Sequence, residues 1–242
     1  MEIYGIRSII EAIECSKEIT RVYLLSSSGG SSLFRSLIKL LEEKNIKFSF
    51  VPKEKFRKYQ DKNHQGAVAI LSPVSILSID ELISKTFSNE KSITYLLLDG
   101  ITDTRNFGAI IRTSLAADVD GIIISQNNSA PINSDVVKTS SGAVFKIPIA
   151  RVSNLKDAII HLNSIDIDVY SLSEKGKNTI YDVDFKKSVG IIMGSEDKGI
   201  SKGIINLSQD TIKIPISKSI DSLNVSSAFS VVIFEILRQR NY

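Results

Sequence analysis

Uniform runs of Ile, Leu and Val recur through the last two-thirds of the chain: TYLLLDG, GIIIS, FKIPIA, DVYSL, VGIIMGSE and TIKIPIS. Strands without polar alternation are covered on both faces. Between them lie segments with apolar residues at helical spacing: GAIIRTSLAA, SDVVKTSSG, NLKDAIIHLN, ISKGIINLS and the long LNVSSAFSVVIFEILRQR. Alternating β and α elements predict an α/β fold with a mostly parallel sheet. The first 70 or so residues read as a smaller α/β unit. GIRSIIEAIE and LFRSLIKLLEEKN are its helices, and RVYLLS, IKFSFV and GAVAILS its strands. SSSGGSS is a loop. SPVSILSID then breaks the pattern, and Pro73 with its serines marks a boundary. Ser78 ahead of IDELI reads as a capped helix. The expected organisation is a small domain over residues 1–72 and a larger one over 75–242.

Composition narrows this reading only slightly. A hydrophobic content of 43% and a charged content of 24% suit a folded globular chain with a core of its own. The single cysteine, Cys15, has no partner for an internal disulfide. His64 and His161 show no ligand spacing, so no metal is expected. The N-terminal stretch is acidic and lacks a long apolar run, unlike a signal peptide. No stretch approaches the roughly 18 apolar residues of a membrane span. A cytoplasmic protein is expected.

Charge is less even than the net +3 suggests. Residues 1–72 hold 12 Lys and Arg against 8 Asp and Glu. Part of the excess falls in VPKEKFRKYQDK, where Lys53, Lys55, Arg57 and Lys58 are interleaved with Phe56 and Tyr59. Such a cluster fits RNA, with lysines on phosphates and rings on unpaired bases. Charge runs of this kind are common on surfaces, and a solvated helix face with two core aromatics is the alternative.

In open parallel sheets, ligands sit at the carboxyl ends of strands. Three strand ends carry pointed polar residues. YLLLDG leads to Asp103, Asn106 and Arg112; VGIIMG leads to Ser195 and Glu196; TIKIPI leads to Ser222 and Asn224. GSEDKGIS has the glycines of a phosphate-binding loop, but Ile200 stands where the lysine belongs, which excludes a nucleotide triphosphatase. No G-x-G-x-x-G follows a strand, so neither a dinucleotide fold nor a Rossmann-type methyltransferase is supported.

The three segments resemble, in order and spacing, the three motifs of the SpoU/TrmH branch of the SPOUT RNA methyltransferases. DTRNFGAIIRTS is similar to D-P-x-N-x-G-A-I-x-R-T-A, GSEDKG to G-S-E-G-x-G, and IPISKSIDSLNVSSA to I-P-M…S-L-N-V-S-x-A. KTSSGA has a counterpart between the first two motifs. The likeness spans about residues 75–242. The N-terminal part is similar to a small ribosomal-protein-like RNA-binding domain, with NHQGAVA at its close.

The resemblance implies several things. The fold would carry a C-terminal trefoil knot, which sequence physics alone would not propose. Copies would pair as homodimers through the knot domain. The methyl donor would be S-adenosylmethionine, its adenosine held by backbone groups at Gly194, Ile214 and Leu223. The acceptor would be a ribose 2′-hydroxyl of RNA, most like a guanosine of 23S ribosomal RNA, with neither DNA nor membrane as partner. Transfer RNA, or RNA binding without catalysis, are the alternatives. Arg112 would take the hydroxyl proton or clamp a phosphate, with Asn106, Glu196, Ser222 and Asn224 around it. On the residues alone, Asn106 caps a helix starting near Phe107, Glu196 favours a helix dipole, and Ser222 or Asn224 caps the last helix. Three positions depart from the motifs: Thr104 replaces a proline, Asp197 a small residue and Lys218 a glycine.

Overall fold

The computed structural model describes residues 2–241 except 16, 18, 27–30, 45, 72, 73 and 88–90, and leaves out the Thr20 side chain. The boundary at Pro73 and most of SSSGGSS therefore lie outside the described residues. The chain divides into two compact units, Met1–Val74 with Ile132–Lys146, and Ser75–Pro131 with Ile147–Tyr242. The sequence reading assigned 132–146 to the larger domain; by its contacts it groups with the smaller unit.

In the smaller unit a mixed sheet runs in the order β1 (Glu2–Tyr4), β4 (Ala67–Leu71), β2 (Ile19–Leu25), β3 (Phe48–Val51). β1 and β2 are antiparallel to β4, and β3 is parallel to β2. The helices α1 (Ile6–Glu14) and α2 (Ser32–Glu43) bury Ile9, Ala12, Phe34, Leu37 and Leu41. The NHQG turn has a local purpose: Gln65 Oε1 accepts from Ile6 N at 3.0 Å, satisfying a free donor at the start of α1. Residues Lys53–Tyr59 form a 3-10 helix whose rings turn inward. Phe56 and Tyr59 are only 3% and 8% exposed, packed with Tyr4, Val51 and Val68. The rings of the basic cluster are thus core, and they cannot stack on bases.

The segment 132–146 is fixed to this unit by specific contacts. The Tyr4 hydroxyl donates to the carboxylate of Asp135 on α5 (Ser134–Thr139). Burial and that carboxylate push the Tyr4 pKa up to about 12. Gly142, in the KTSSGA segment, sits at φ +86, and a Cβ there would fall 2.0 Å from Glu11 Cγ. A side chain is excluded both by conformation and by space. Glu11 in turn pairs with Lys146.

The larger unit is a seven-stranded sheet, parallel throughout its described pairings. Its order is β7 (Ile149–Val152), β6 (Gly121–Ser125), β5 (Thr94–Asp99), β10 (Val189–Gly194), β8 (Asp168–Leu172), β11 (Asp210–Lys213), β9 (Asn178–Thr179). α3 (Ile79–Thr86) opens on a capping box, with Glu81 N donating to Ser78 Oγ at 3.2 Å and Ser78 N to Glu81 Oε2 at 2.7 Å. α3 and α6 (Leu155–Ser164) bury Leu82, Leu155, Ile159 and Leu162 against Tyr95, Leu97, Ile123 and Ile192. α4 (Thr104–Ala116) packs against the long α8 (Val225–Asn241), and α7 (Lys202–Ile205) is a single turn. No helix of the described residues is long and apolar enough to cross a membrane.

One core atom lacks a partner. Ser114 on α4 is fully buried, and its Oγ makes no hydrogen bond with the described residues. The motif that this segment resembles has alanine there. An unpaired buried hydroxyl costs free energy that a methyl group avoids. Ser114→Ala should therefore stabilise the protein by about 1 kcal/mol, read as a higher urea midpoint at unchanged slope. A lower midpoint would show that the hydroxyl has a partner after all.

Candidate active site

The three strand ends singled out in the sequence converge. Parallel pairing sets Asp99 of β5 opposite Gly194 of β10, so the first two segments leave the sheet side by side. Asp99 Oδ2 accepts from Ser201 N at 2.9 Å, tying the far end of the second segment to the start of the first. Inside that second segment, Gly199 N donates to Ser195 O at 2.8 Å and Lys198 N to Ser195 Oγ at 3.2 Å. Gly194 lies under the resulting turn. A Cβ there would stand 2.2 Å from the Gly199 carbonyl carbon and 2.4 Å from Ile200 N. Only glycine lets backbone approach backbone this closely.

The cap of α4 is Asp103, not Asn106. Asp103 Oδ1 accepts from Arg105 N at 2.7 Å and Asn106 N at 2.8 Å, which starts the helix at Thr104, ahead of the expected start near Phe107. Asn106 thus occupies the first turn with its amide released from capping. Its Nδ2 donates to Glu196 Oε1 at 3.3 Å, and its Oδ1 accepts from Asn224 Nδ2 at 3.1 Å. Asn224 Nδ2 also donates to Glu196 Oε1 at 2.5 Å. One residue from each segment therefore enters a single hydrogen-bonded cluster.

Asn224 has two sets of partners. Its Oδ1 accepts from Ser226 N at 3.0 Å, the usual work of a cap, while its Nδ2 serves the cluster. Glu196 begins no helix of its own. It lies instead at the start of α8, where its Oε1 also accepts from Val225 N at 3.4 Å, a favourable place for a carboxylate. Three N–H groups thus hold Oε1. No described residue donates to Oε2.

A cavity of about 400 Å³ opens beside this cluster. Glu196 and Val225 contribute to its wall, and so do Gly194, Ile214, Ser222 and Leu223. Ile214 is there because TIKIPIS does not stay a strand throughout. β11 ends at Lys213, and beyond the sheet Ile214 and Ile216 line the cavity. Sequence reasoning missed Glu174 and Lys175, which line the same space after β8. The strand-end rule, applied to DVYSL as it was to its neighbours, points to them.

Arg112 is brought less close. It is exposed on α4, and its guanidinium makes no hydrogen bond or ion pair with the described residues. Lys53, Lys55, Arg57 and Lys58 belong to the other unit and are exposed. Lys58 is already paired with Glu2 at 2.7 Å. Lys218 is exposed and does not have a positive φ, so its Cβ costs the third segment nothing.

Residues 93–234 match the SpoU rRNA Methylase family, and residues 3–77 match the RNA 2′-O ribose methyltransferase substrate-binding family. An uncharacterized tRNA/rRNA methyltransferase of Mycoplasma genitalium is 39% identical over 96% of this chain and 95% of its own. Its homologue in Mycoplasma pneumoniae is 34% identical over 96% and 95%. Among solved structures, the SpoU methyltransferase AviRb from Streptomyces viridochromogenes, in complex with AdoMet, superposes with a TM-score of 0.84. It covers 99% of this chain and 90% of that one at 21% identity. The AdoMet-bound rRNA methyltransferase from Sinorhizobium meliloti gives 0.79, covering 98% and 86% at 24% identity. With three motif segments meeting in one hydrogen-bonded cluster and a family match over most of both units, this chain belongs to the SpoU rRNA methylase family and is, by that membership, an S-adenosylmethionine-dependent RNA methyltransferase.

Proposed function

We propose that the cavity beside Glu196 holds S-adenosylmethionine and that the chain methylates the ribose 2′-hydroxyl of a guanosine in 23S ribosomal RNA. The observation that carries this reading is the cluster of Asn106, Glu196 and Asn224, which reaches the cavity wall through Glu196. The fit of the donor rests on the chain's own chemistry. Gly194 keeps the floor free of side chains, Ile214 and Leu223 offer apolar surface to an adenine, and strand-end backbone groups offer hydrogen bonds. When bound, the donor supplies an electrophilic methyl group on a sulfonium.

The residues then divide the remaining work. Glu196, anchored through Oε1, presents Oε2 to the ribose hydroxyl, which donates to it, is thereby aimed, and passes it the proton as the new O–C bond replaces the donor's S–C bond. Asn106 and Asn224 hold that carboxylate in one orientation, and orientation supplies much of the rate. The guanidinium of Arg112, unpaired among the described residues, serves as a bidentate clamp on an RNA phosphate rather than as a base. Ser222, exposed at the cavity wall, adds a hydroxyl to the same rim.

The knot and the dimer belong to the same proposal. Gly176 is pressed against β11, with a Cβ position 2.6 Å from the Ile212 carbonyl carbon, as Gly194 is pressed under the 199–200 turn. Backbone packed on backbone at two glycines supports a threaded trefoil. α8 leaves Phe234 48% exposed, which supports a second copy against that helix. An RNA substrate of this kind places the work in the cytoplasm.

The test is mass-spectrometric mapping of ribose methylation, with protein-free 23S ribosomal RNA and transfer RNA offered separately with labelled S-adenosylmethionine. A single 2′-O-methylguanosine in the ribosomal RNA is the expected product, and Arg112→Ala should raise the RNA KM more than it lowers kcat. Label in transfer RNA alone would transfer the reading to that substrate. Label in neither, with RNA still bound, would make this a binding protein.

A further inference from the structure

The rings expected to meet RNA, Phe56 and Tyr59, are buried, but another aromatic pair in the same unit is not. β3 is an edge strand, hydrogen-bonded on one side only, to β2. Its Phe48 and Phe50 lie opposite Val22 and Leu24, which are fully buried, whereas Phe48 is half-buried and Phe50 is 54% exposed. The two rings meet edge to face, with centroids 5.9 Å apart at 81°. Phe48 thereby props Phe50 while leaving much of the outer ring in solvent.

Cations flank this strand on both sides. Lys58, Lys62 and Lys146 are each paired with an acid. Lys44 and Lys47 precede β3 and Lys53 follows it. All three are exposed, and none pairs with an acid among the described residues. The free positive charge of the unit therefore includes a set bracketing its exposed aromatic strand. A single supported ring framed by unpaired lysines is too small an apolar area for a protein partner. Stacking platforms for single-stranded nucleic acid combine these same two features.

We infer that the β3 edge is a contact for a single-stranded stretch of the RNA substrate, with an unpaired base stacked on Phe50 and backbone phosphates on Lys44, Lys47 and Lys53. This rests on the reading of the protein as one that binds RNA. Because Phe50 is largely in solvent, its replacement leaves the core packed.

The experiment is fluorescence anisotropy of a short labelled single-stranded RNA with the full-length protein. Phe50→Leu keeps the apolar bulk but loses the ring, and should weaken binding about tenfold. Phe50→Tyr keeps the ring and should stay close to wild type. Lys47→Ala should reduce the slope of log affinity against log salt by about 0.7. Phe87→Leu, at an exposed ring of the other unit, is the control and should change nothing. Wild-type affinity in Phe50→Leu would overturn the inference, as would a change in oligomeric state on that substitution, since the edge would then be a protein contact. If the wild type binds no RNA at all, the functional reading falls along with this inference.

Discussion

Glu196→Ala should lower methyl transfer by about a hundredfold or more, in the range typical for loss of a positioned acid–base group. The substitution removes the one group that all three segments share. Asn106 Nδ2, Asn224 Nδ2 and Val225 N all donate to its Oε1, so alanine both empties the site facing the ribose and releases the two amides. Because Glu196 is exposed, water replaces the lost acceptor and stability should fall by no more than about 1 kcal/mol. Glu196→Gln separates the two functions. A glutamine oxygen can take the three N–H donors and keep the cluster assembled, while its NH₂ would point a donor where the carboxylate offered an acceptor. The expected result is S-adenosylmethionine affinity near wild type by calorimetry, with the single-turnover rate down at least about tenfold. A glutamine variant with an unchanged rate would show that Glu196 serves only to assemble the cluster.

Much of this architecture is legible in the residues, for physical reasons that also explain the gaps. LLLD, IIIS and IIMG are buried on both faces, so their strands show as unbroken apolar runs. EIY and NT, which form β1 and β9, are too short to carry any period. IKIPIS reads as one strand because its apolar residues continue past Lys213, yet Ile214 and Ile216 are apolar for the cavity and not for the sheet. In KEKFRKY, charge and aromatic periodicity fit a base-stacking surface and a buried edge equally well. The choice depends on Tyr4, Val51 and Val68, which no local window contains. The placement of 132–146 was invisible for the same reason: Tyr4 and Asp135 are 131 residues apart in sequence. At the site, three strand ends suffice to find Asn106, Glu196 and Asn224. What the sequence leaves open is which residue caps α4. Asp103 does so, and for that reason Asn106 is free to reach Glu196.

Arg240→Ala should destabilise the larger unit by about 3 kcal/mol, in line with the loss of several hydrogen bonds from one charged donor. α8 has the cluster at its first turn and a very different structure at its last. Arg240 Nε donates to Phe185 O at 2.9 Å, and Nη1 to Thr94 Oγ1 at 2.7 Å and Ser92 O at 3.2 Å. Nη2 donates to Lys187 O at 2.7 Å and Ile93 O at 3.3 Å. One guanidinium thus fastens the helix to the entrances of β5 and β10, the two strands that deliver the first and second segments. Its acceptors are carbonyls and a hydroxyl. Burial lowers its pKa, and Asp120 only partly offsets that. The neighbouring Gln239 repeats the pattern, accepting from Phe185 N at 2.8 Å and donating to Val183 O at 3.1 Å. For a chain of this length the loss corresponds to a fall of roughly 6–12 °C in the melting of the unit. Arg240→Lys should recover only a small part of it, because an ammonium cannot reach five acceptors spread around a planar fork. Since α8 runs unbroken from Asn224 to this anchor, the alanine variant should also lose methyl transfer at temperatures well below its new midpoint. Full stability in Arg240→Ala, by urea and by heat, would mean that apolar packing of Phe229, Val232, Ile233 and Ile236 holds the helix without the anchor.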